Sequence, residues 1–266
     1  MMGQPIHTGY AQISDQLAEE LSVIGQNPFP GLRPFTVDEC HLYFGREGQV
    51  DQILAKLAVH RFVCVMGYSG SGKSSLLTCG LVPVLYGGFV SHSSPHWHVI
   101  ISRPGSNPIR NLAESVVDYM VSGKRIQEED IPVFRSIINS VLRSGPHGLV
   151  EVSRFLQTFR QDNVFFMLDQ FEELFRLEEV RNETEAANET QEYINLVLHA
   201  IKQSETPVFV AVTMRSDFLA RCAYYPALAE IINTSNYLVP QMTREQKKLA
   251  IKGPVAVAGG RISERL

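Results

Sequence analysis

Five short apolar runs punctuate the chain: Phe62–Met66, His98–Ser102, Val164–Leu168, Val208–Thr213 and Tyr237–Val239. Each is rich in β-branched or aromatic residues and almost continuous in apolar character, the pattern of strands buried on both faces of a parallel sheet. Between them, segments 74–85, 108–121, 130–143, 148–161, 187–203 and 216–232 repeat apolar residues at helical spacing. Strand–helix alternation of this kind predicts an α/β fold with an open sheet. Upstream, Val50, Ile53, Leu54 and Leu57 predict a helix over 47–59. Thr36-x-x-Glu39 reads as a capping box that opens a short helix. From Asn27 to Phe35, three prolines within seven residues exclude a regular helix and mark an ordered connector. Residues 1–26 are polar, with Ile13, Leu17, Leu21 and Ile24 at helical spacing, and predict a helical extension. Residues 176–192, acidic and amide-rich, predict a solvated loop. Thr243–Ile251 reads as a capped helix that Gly253-Pro254 breaks, and the apolar pattern begun at 255 stops at Leu266.

The length, 266 residues, lies near the upper limit for one hydrophobic core. With 24 Lys+Arg against 28 Asp+Glu, the net charge of −4 argues against a protein built to grip nucleic acid through a basic face. The 4 cysteines form no CxxC pair, so neither a zinc knuckle nor a disulfide scaffold is indicated and a reducing compartment is expected. Apolar runs reach about five residues, far short of the roughly 20 of a membrane span. The N-terminus has no secretory h-region. A cytoplasmic location is the simplest expectation.

The chemistry concentrates at strand ends. Gly67-Tyr68-Ser69-Gly70-Ser71-Gly72-Lys73-Ser74 matches G-x-x-x-x-G-K-[ST] at every fixed position, directly after a predicted strand and directly before a predicted helix that Ser75 continues. Glycines let backbone N–H groups converge on phosphate oxygens, and the helix start adds its positive dipole end. Lys73 is then expected between β- and γ-phosphates, with the Ser74 hydroxyl on Mg²⁺. A second buried strand ends in Asp169, the expected metal-facing acid, followed by Gln170-Phe171-Glu172-Glu173. Glu172 or Glu173 is placed to orient an attacking water. A third strand ends in Arg215, which could reach the γ-phosphate; a surface pair with Asp217 is the alternative. His92, His96 and His98 surround Trp97 without an accompanying carboxylate or cysteine and read as structural. Arg103-Pro104-Gly105 reads as a loop before the 108–121 helix that could carry Arg103 towards a neighbouring subunit.

The chain from Asn27 to about Gly259 resembles the STAND class of P-loop NTPases, specifically the bacterial novel STAND NTPase 1 group. The residues that carry the resemblance are Asn27-Pro28-Phe29-x-Gly31-Leu32-Arg33-Pro34-Phe35, Phe44-Gly45-Arg46-Glu47, the glycine loop, Arg103-Pro104-Gly105, Asp169 to Phe175, and Thr213-x-Arg215-x-Asp217-Phe218. It implies a three-layer fold with a mostly parallel five-stranded sheet in the ASCE order 5-1-4-3-2, the Arg215 strand lying between the glycine-loop and Asp169 strands. It implies ATP and Mg²⁺ as cofactors, Gly45-Arg46 near the adenine, and Arg215 as the sensor-1 arginine. Such proteins act as ATP-gated switches that hydrolyse slowly, self-associate and pass a signal from a sensor to an effector domain, often in bacterial defence. The implied division is a helical extension over 1–26, a P-loop NTPase domain over 27–240, and a truncated start of a helical or winged-helix region over 241–266. Two departures stand out. Gln170 occupies the position where AAA+ relatives carry a catalytic Glu, which moves that role to Glu172 or Glu173. Gly253-Pro254 lacks the spacer of the Gly-x-Pro that touches adenine in relatives. The alternatives are a nucleotide-binding scaffold without turnover and a P-loop small-molecule kinase, for which no arginine-rich lid is found. A GTPase is disfavoured because no [NT]KxD segment occurs.

Overall fold

All the apolar runs form strands, each within a residue or two of its predicted limits. A computed structural model of the protein describes residues 27–87, 96–180 and 183–263. The strands are β1 (Phe62–Gly67), β2 (Trp97–Ser102), β3 (Asn163–Leu168), β4 (Val208–Arg215) and β5 (Asn236–Leu238). Every pairing is parallel, and the order is β2-β3-β4-β1-β5. Read from the other edge, this is the order that the resemblance implies, with β4 between β1 and β3.

The helices are α1 (Gln49–His60), α2 (residues 73–86), α3 (Pro108–Ser122), α4 (Ile131–Arg143), α5 (Gly148–Phe159), α6 (Glu173–Val180), α7 (Glu183–Lys202), α8 (Pro226–Ser235) and α9 (Arg244–Val257). Strand side chains alternate between the two faces. Phe62, Cys64 and Met66 of β1 join one core with Val116 of α3, Leu156 of α5, Val197 of α7 and Ile232 of α8. Val63 and Val65 face the opposite core with Ile53 and Leu57 of α1 and Leu76 and Leu81 of α2. Helices therefore cover both faces of the sheet, which is why β1 and β3 read as unbroken apolar runs. Thr36 begins a short 3-10 helix, Val37–Leu42, as its capping pattern predicts; the Glu39 carboxylate accepts from the Thr36 N–H at 2.9 Å and from its hydroxyl at 3.1 Å.

Three expectations need correction. Residues 176–192 are largely helical rather than a loop, falling in α6 and α7. Among the side chains described there, Asn188 and Glu192 are exposed while Thr190, like Tyr193 just beyond, is buried, so polar composition marks the outer face of a helix as well as a loop. The helix expected over 216–232 is interrupted, with short turns at Ser216–Phe218 and Leu219–Cys222 before Pro226 starts α8. Gly253-Pro254 does not end α9, which continues to Val257. Gly253 lies against the Phe44 ring, where an added Cβ would come within 2.5 Å, and Pro254 is buried. Packing holds the helix through a residue that local propensity would use as a stop. The extension over 1–26 and His92 lie outside the described residues. His98 is fully buried, its Nε2 2.9 Å from the Arg160 carbonyl oxygen and its Nδ1 2.8 Å from the Tyr119 hydroxyl. A carbonyl only accepts, so Nε2 carries the proton; burial pushes the imidazole pKa down and the ring is structural. No helix among the described residues is long and apolar enough to cross a membrane.

Candidate nucleotide site

Parallel strands deliver their C-terminal ends to one edge of the sheet, where ligands of such folds bind. Gly67, the last residue of β1, pairs with Arg215, the last of β4. Asp169 follows β3, and its N–H donates to the Ser102 carbonyl at the end of β2, 2.8 Å away. Four separated stretches of sequence thus meet at this edge. Between β1 and α2 the glycine loop turns through left-handed backbone at Gly70 (φ 74°) and Gly72 (φ 86°), a conformation that a Cβ would strain. Lys73 is buried and folds under the loop, its Nζ donating to the Gly67 carbonyl at 3.0 Å and the Tyr68 carbonyl at 2.8 Å. Burial pulls the ammonium below the usual lysine range, and the carboxylates of Glu172 and Asp169 pull it back.

Asp169 is the most connected side chain of the site. Its Oδ1 accepts from the Ser74 hydroxyl at 2.5 Å and from the Thr213 hydroxyl at 2.7 Å. Its Oδ2 faces the Arg103 guanidinium, with Nε at 3.0 Å and Nη2 at 2.8 Å. Immediately after it, Gln170 adopts φ 58°, and its N–H donates to Thr213 Oγ1 at 2.9 Å. Thr213 therefore fixes both the acid and the strained turn that follows it. The Ser74 hydroxyl and the Asp169 carboxylate are adjacent hard oxygen donors, the donor chemistry that Mg²⁺ prefers.

The two glutamates separate. Glu172 is buried and its Oε2 accepts from the Arg215 N–H at 3.3 Å. Glu173 turns to the loop after β2, accepting from the Gly105 N–H at 2.8 Å. The Arg215 guanidinium forks onto Asp217, Nε to Oδ1 at 3.0 Å and Nη2 to Oδ2 at 2.6 Å. Of the two arrangements open for Arg215, the pair with Asp217 is the one present.

A cavity of about 690 Å³ opens beside the loop, lined by Gly67 to Ser71 on one side and by Leu238 to Met242 and Lys247 on the other. That size suits a nucleotide-scale ligand. Ser69 and Gly70 line it directly. Arg46 is buried at its floor, bridging the Ser71 carbonyl at 2.8 Å and the Pro240 carbonyl at 2.7 Å. Gly45 sits apart, against the Gln246 backbone. Gly253 packs on Phe44, and neither it nor Pro254 is among the lining residues. Ser75 accepts from the Phe35 N–H at 3.2 Å and ties the proline-rich connector to α2. A second depression, about 490 Å³, lies against Asp162 and Asn163 at the start of β3, the opposite end of the strands from the glycine loop.

The family described as Novel STAND NTPase 1 matches residues 28–266. The chain belongs to that family. No curated protein matches it. As a STAND-type NTPase it is a nucleotide-binding protein, and its sheet order agrees with that membership. Sequence reasoning missed three parts of this STAND NTPase site. Thr213 entered it only as part of a motif; a hydroxyl in an otherwise apolar buried strand was the available signal. Arg103, read from sequence only as a residue its loop could carry towards a neighbouring subunit, reaches Asp169 of its own chain. Leu238 to Met242 and Lys247 carried no local signal, since only folding brings them to the loop.

Proposed function

We propose that the chain is an ATP-binding, Mg²⁺-dependent regulatory NTPase that hydrolyses slowly and uses bound nucleotide to set its assembly state. The observation that carries this reading is the convergence of Lys73, Ser74, Asp169 and Glu172 at one sheet edge beside the glycine loop. Lys73 holds two neutral carbonyls and would exchange them for β- and γ-phosphate oxygens, whose opposite charge makes the contact an ion pair and therefore stronger. Backbone N–H groups from Gly67 to Ser75, those of Ser69 and Ser71 included, would cradle the phosphates, with the two serines shaping the loop. Ser74 and Asp169 would hold Mg²⁺, which supplies charge neutralisation and orientation of the phosphates. Glu172, buried and close enough to Lys73 to shift its pKa, is the better placed acid to orient water; Glu173 is engaged by the loop at Gly105. The base would occupy the cavity against Leu238 to Met242, with Arg46 bracing the loop to that wall. Arg215 would sense the γ-phosphate after leaving Asp217. The resemblance to the STAND class supports self-association, sensor and effector domains and a role in bacterial defence or signalling, and the short apolar runs of the sequence support a cytoplasmic setting.

Titration of the purified chain with ATP and Mg²⁺ tests the reading: ATP binds, and Lys73→Ala abolishes binding. Release of ADP and free phosphate, lost in Glu172→Gln with binding retained, marks hydrolysis. Transfer of phosphate to a small molecule would mark a kinase. A non-hydrolysing scaffold has one observation in its favour, the occupation of Arg215 by Asp217; binding without product would support it.

A further inference from the structure

Both oxygens of the Asp169 carboxylate have partners within the chain. Two hydroxyls fill Oδ1 and a guanidinium fork fills Oδ2. Its side chain is 3% exposed, whereas that of Arg103 is 50% exposed. A buried acid needs a compensating charge, and Arg103 supplies it from the solvent side. The placement of Arg103 is built rather than accidental. It follows directly on Ser102 of β2, which receives the Asp169 N–H. Pro104 then offers its carbonyl to Asn111 Nδ2 at 2.8 Å, and the Gly105 N–H reaches Glu173 at 2.8 Å. The loop is pinned on both sides, so the guanidinium is delivered to Asp169 within one chain.

A guanidinium and a divalent cation cannot share the same carboxylate oxygens without like-charge repulsion in a partly buried site. We infer that Arg103 is the resident counter-ion of Asp169 and competes with the divalent metal for it, so that this one residue sets the metal concentration at which nucleotide is held. The inference rests on the proposal that Asp169 faces the metal. Arg103 is a positioning residue here: it acts on the metal through Asp169. Releasing it requires breaking a charge-assisted fork on Asp169.

The test uses the full chain, a non-hydrolysable ATP analogue at saturation, and Mn²⁺ as the metal, read by loss of the free-ion electron paramagnetic resonance signal. Arg103→Ala is expected to bind Mn²⁺ about tenfold more tightly than the parent, the weight of a charge-assisted hydrogen bond. Arg103→Lys, with one ammonium in place of a fork, is expected in between. Thermal melts in chelator check folding: Arg103→Ala melts lower than the parent because its buried acid lacks a cation, and Mn²⁺ with the analogue closes the gap. Unchanged or weaker Mn²⁺ affinity in folded Arg103→Ala overturns the inference. So does weaker analogue binding at saturating Mn²⁺, which would make Arg103 a phosphate ligand. If the parent chain binds no analogue at all, the nucleotide reading itself falls, an outcome distinct from analogue binding with an unshifted metal affinity.

Discussion

Gly45 lies within the Phe44-Gly45-Arg46-Glu47 stretch for which resemblance implies a place near the base, but the structure assigns it a different duty. Its φ is +88°, and an added Cβ would lie 2.5 Å from the Gln246 carbonyl oxygen and 3.3 Å from the Ala250 Cβ, both on α9. Gly45→Ala therefore carries two costs. An L-residue in left-handed backbone costs about 1–2 kcal/mol. Relieving a backbone overlap by shifting α9 costs about 1–3 kcal/mol. A total near 3 kcal/mol corresponds to roughly 6–12 °C in Tm for a domain of this size. Gly31 is the internal control: its φ is +71°, but nothing lies within 4 Å of its missing Cβ. Gly31→Ala should then lose only about 1 kcal/mol, roughly 2–4 °C. Calorimetric melts of the parent and both variants, with and without ATP, separate the cases. If Gly45→Ala melts no lower than Gly31→Ala and instead loses ATP affinity, the glycine serves the ligand and the packing argument is refuted.

Other outcomes follow from the same site. Lys73→Ala should abolish ATP binding in calorimetric titration; retained affinity would remove the loop as the phosphate cradle. Thr213→Val keeps the shape of the side chain but takes hydroxyl partners from Asp169 and the Gln170 N–H, at about 2 kcal/mol in a urea melt; an unchanged midpoint would show that Thr213 does not brace the acid. Glu172→Gln should stop phosphate release while Glu173→Gln leaves residual turnover, since Glu172 is buried beside the end of β4 whereas Glu173 is engaged by the Gly105 N–H; the reverse order would exchange their roles. The Arg33 fork, helped by the Thr36 N–H, holds the Glu39 carboxyl down to about 2. A depressed folded pKa contributes stability that is present above the unfolded value, about 4.3, and fades as pH falls towards 2. The Tm difference between Glu39→Gln and the parent should thus shrink from pH 6 to pH 2; a constant gap would contradict it.

Much of the architecture could be read locally. Strands β1, β3 and β4 are buried on both faces, so their apolar runs declare them without help from neighbours. The glycine loop is also local, because its φ values, its lysine and its helix start lie within eight consecutive residues. Polarity misled where helix and loop share the same solvent-facing composition, as at 176–192, and where packing overrode a stop signal, as at Gly253-Pro254 on Phe44. The chain alone therefore determined the strand order's ingredients, the loop and the candidate acids. Folding decided which partners those acids and the strand-end arginine have: Glu173 given to Gly105, Arg215 to Asp217, and Asp169 shared among Ser74, Thr213 and Arg103. Hydrogen bonds and ion pairs act over a few ångströms in space. Residues distant in sequence meet only when parallel strands bring their ends to one edge, and no periodicity within a segment records that meeting.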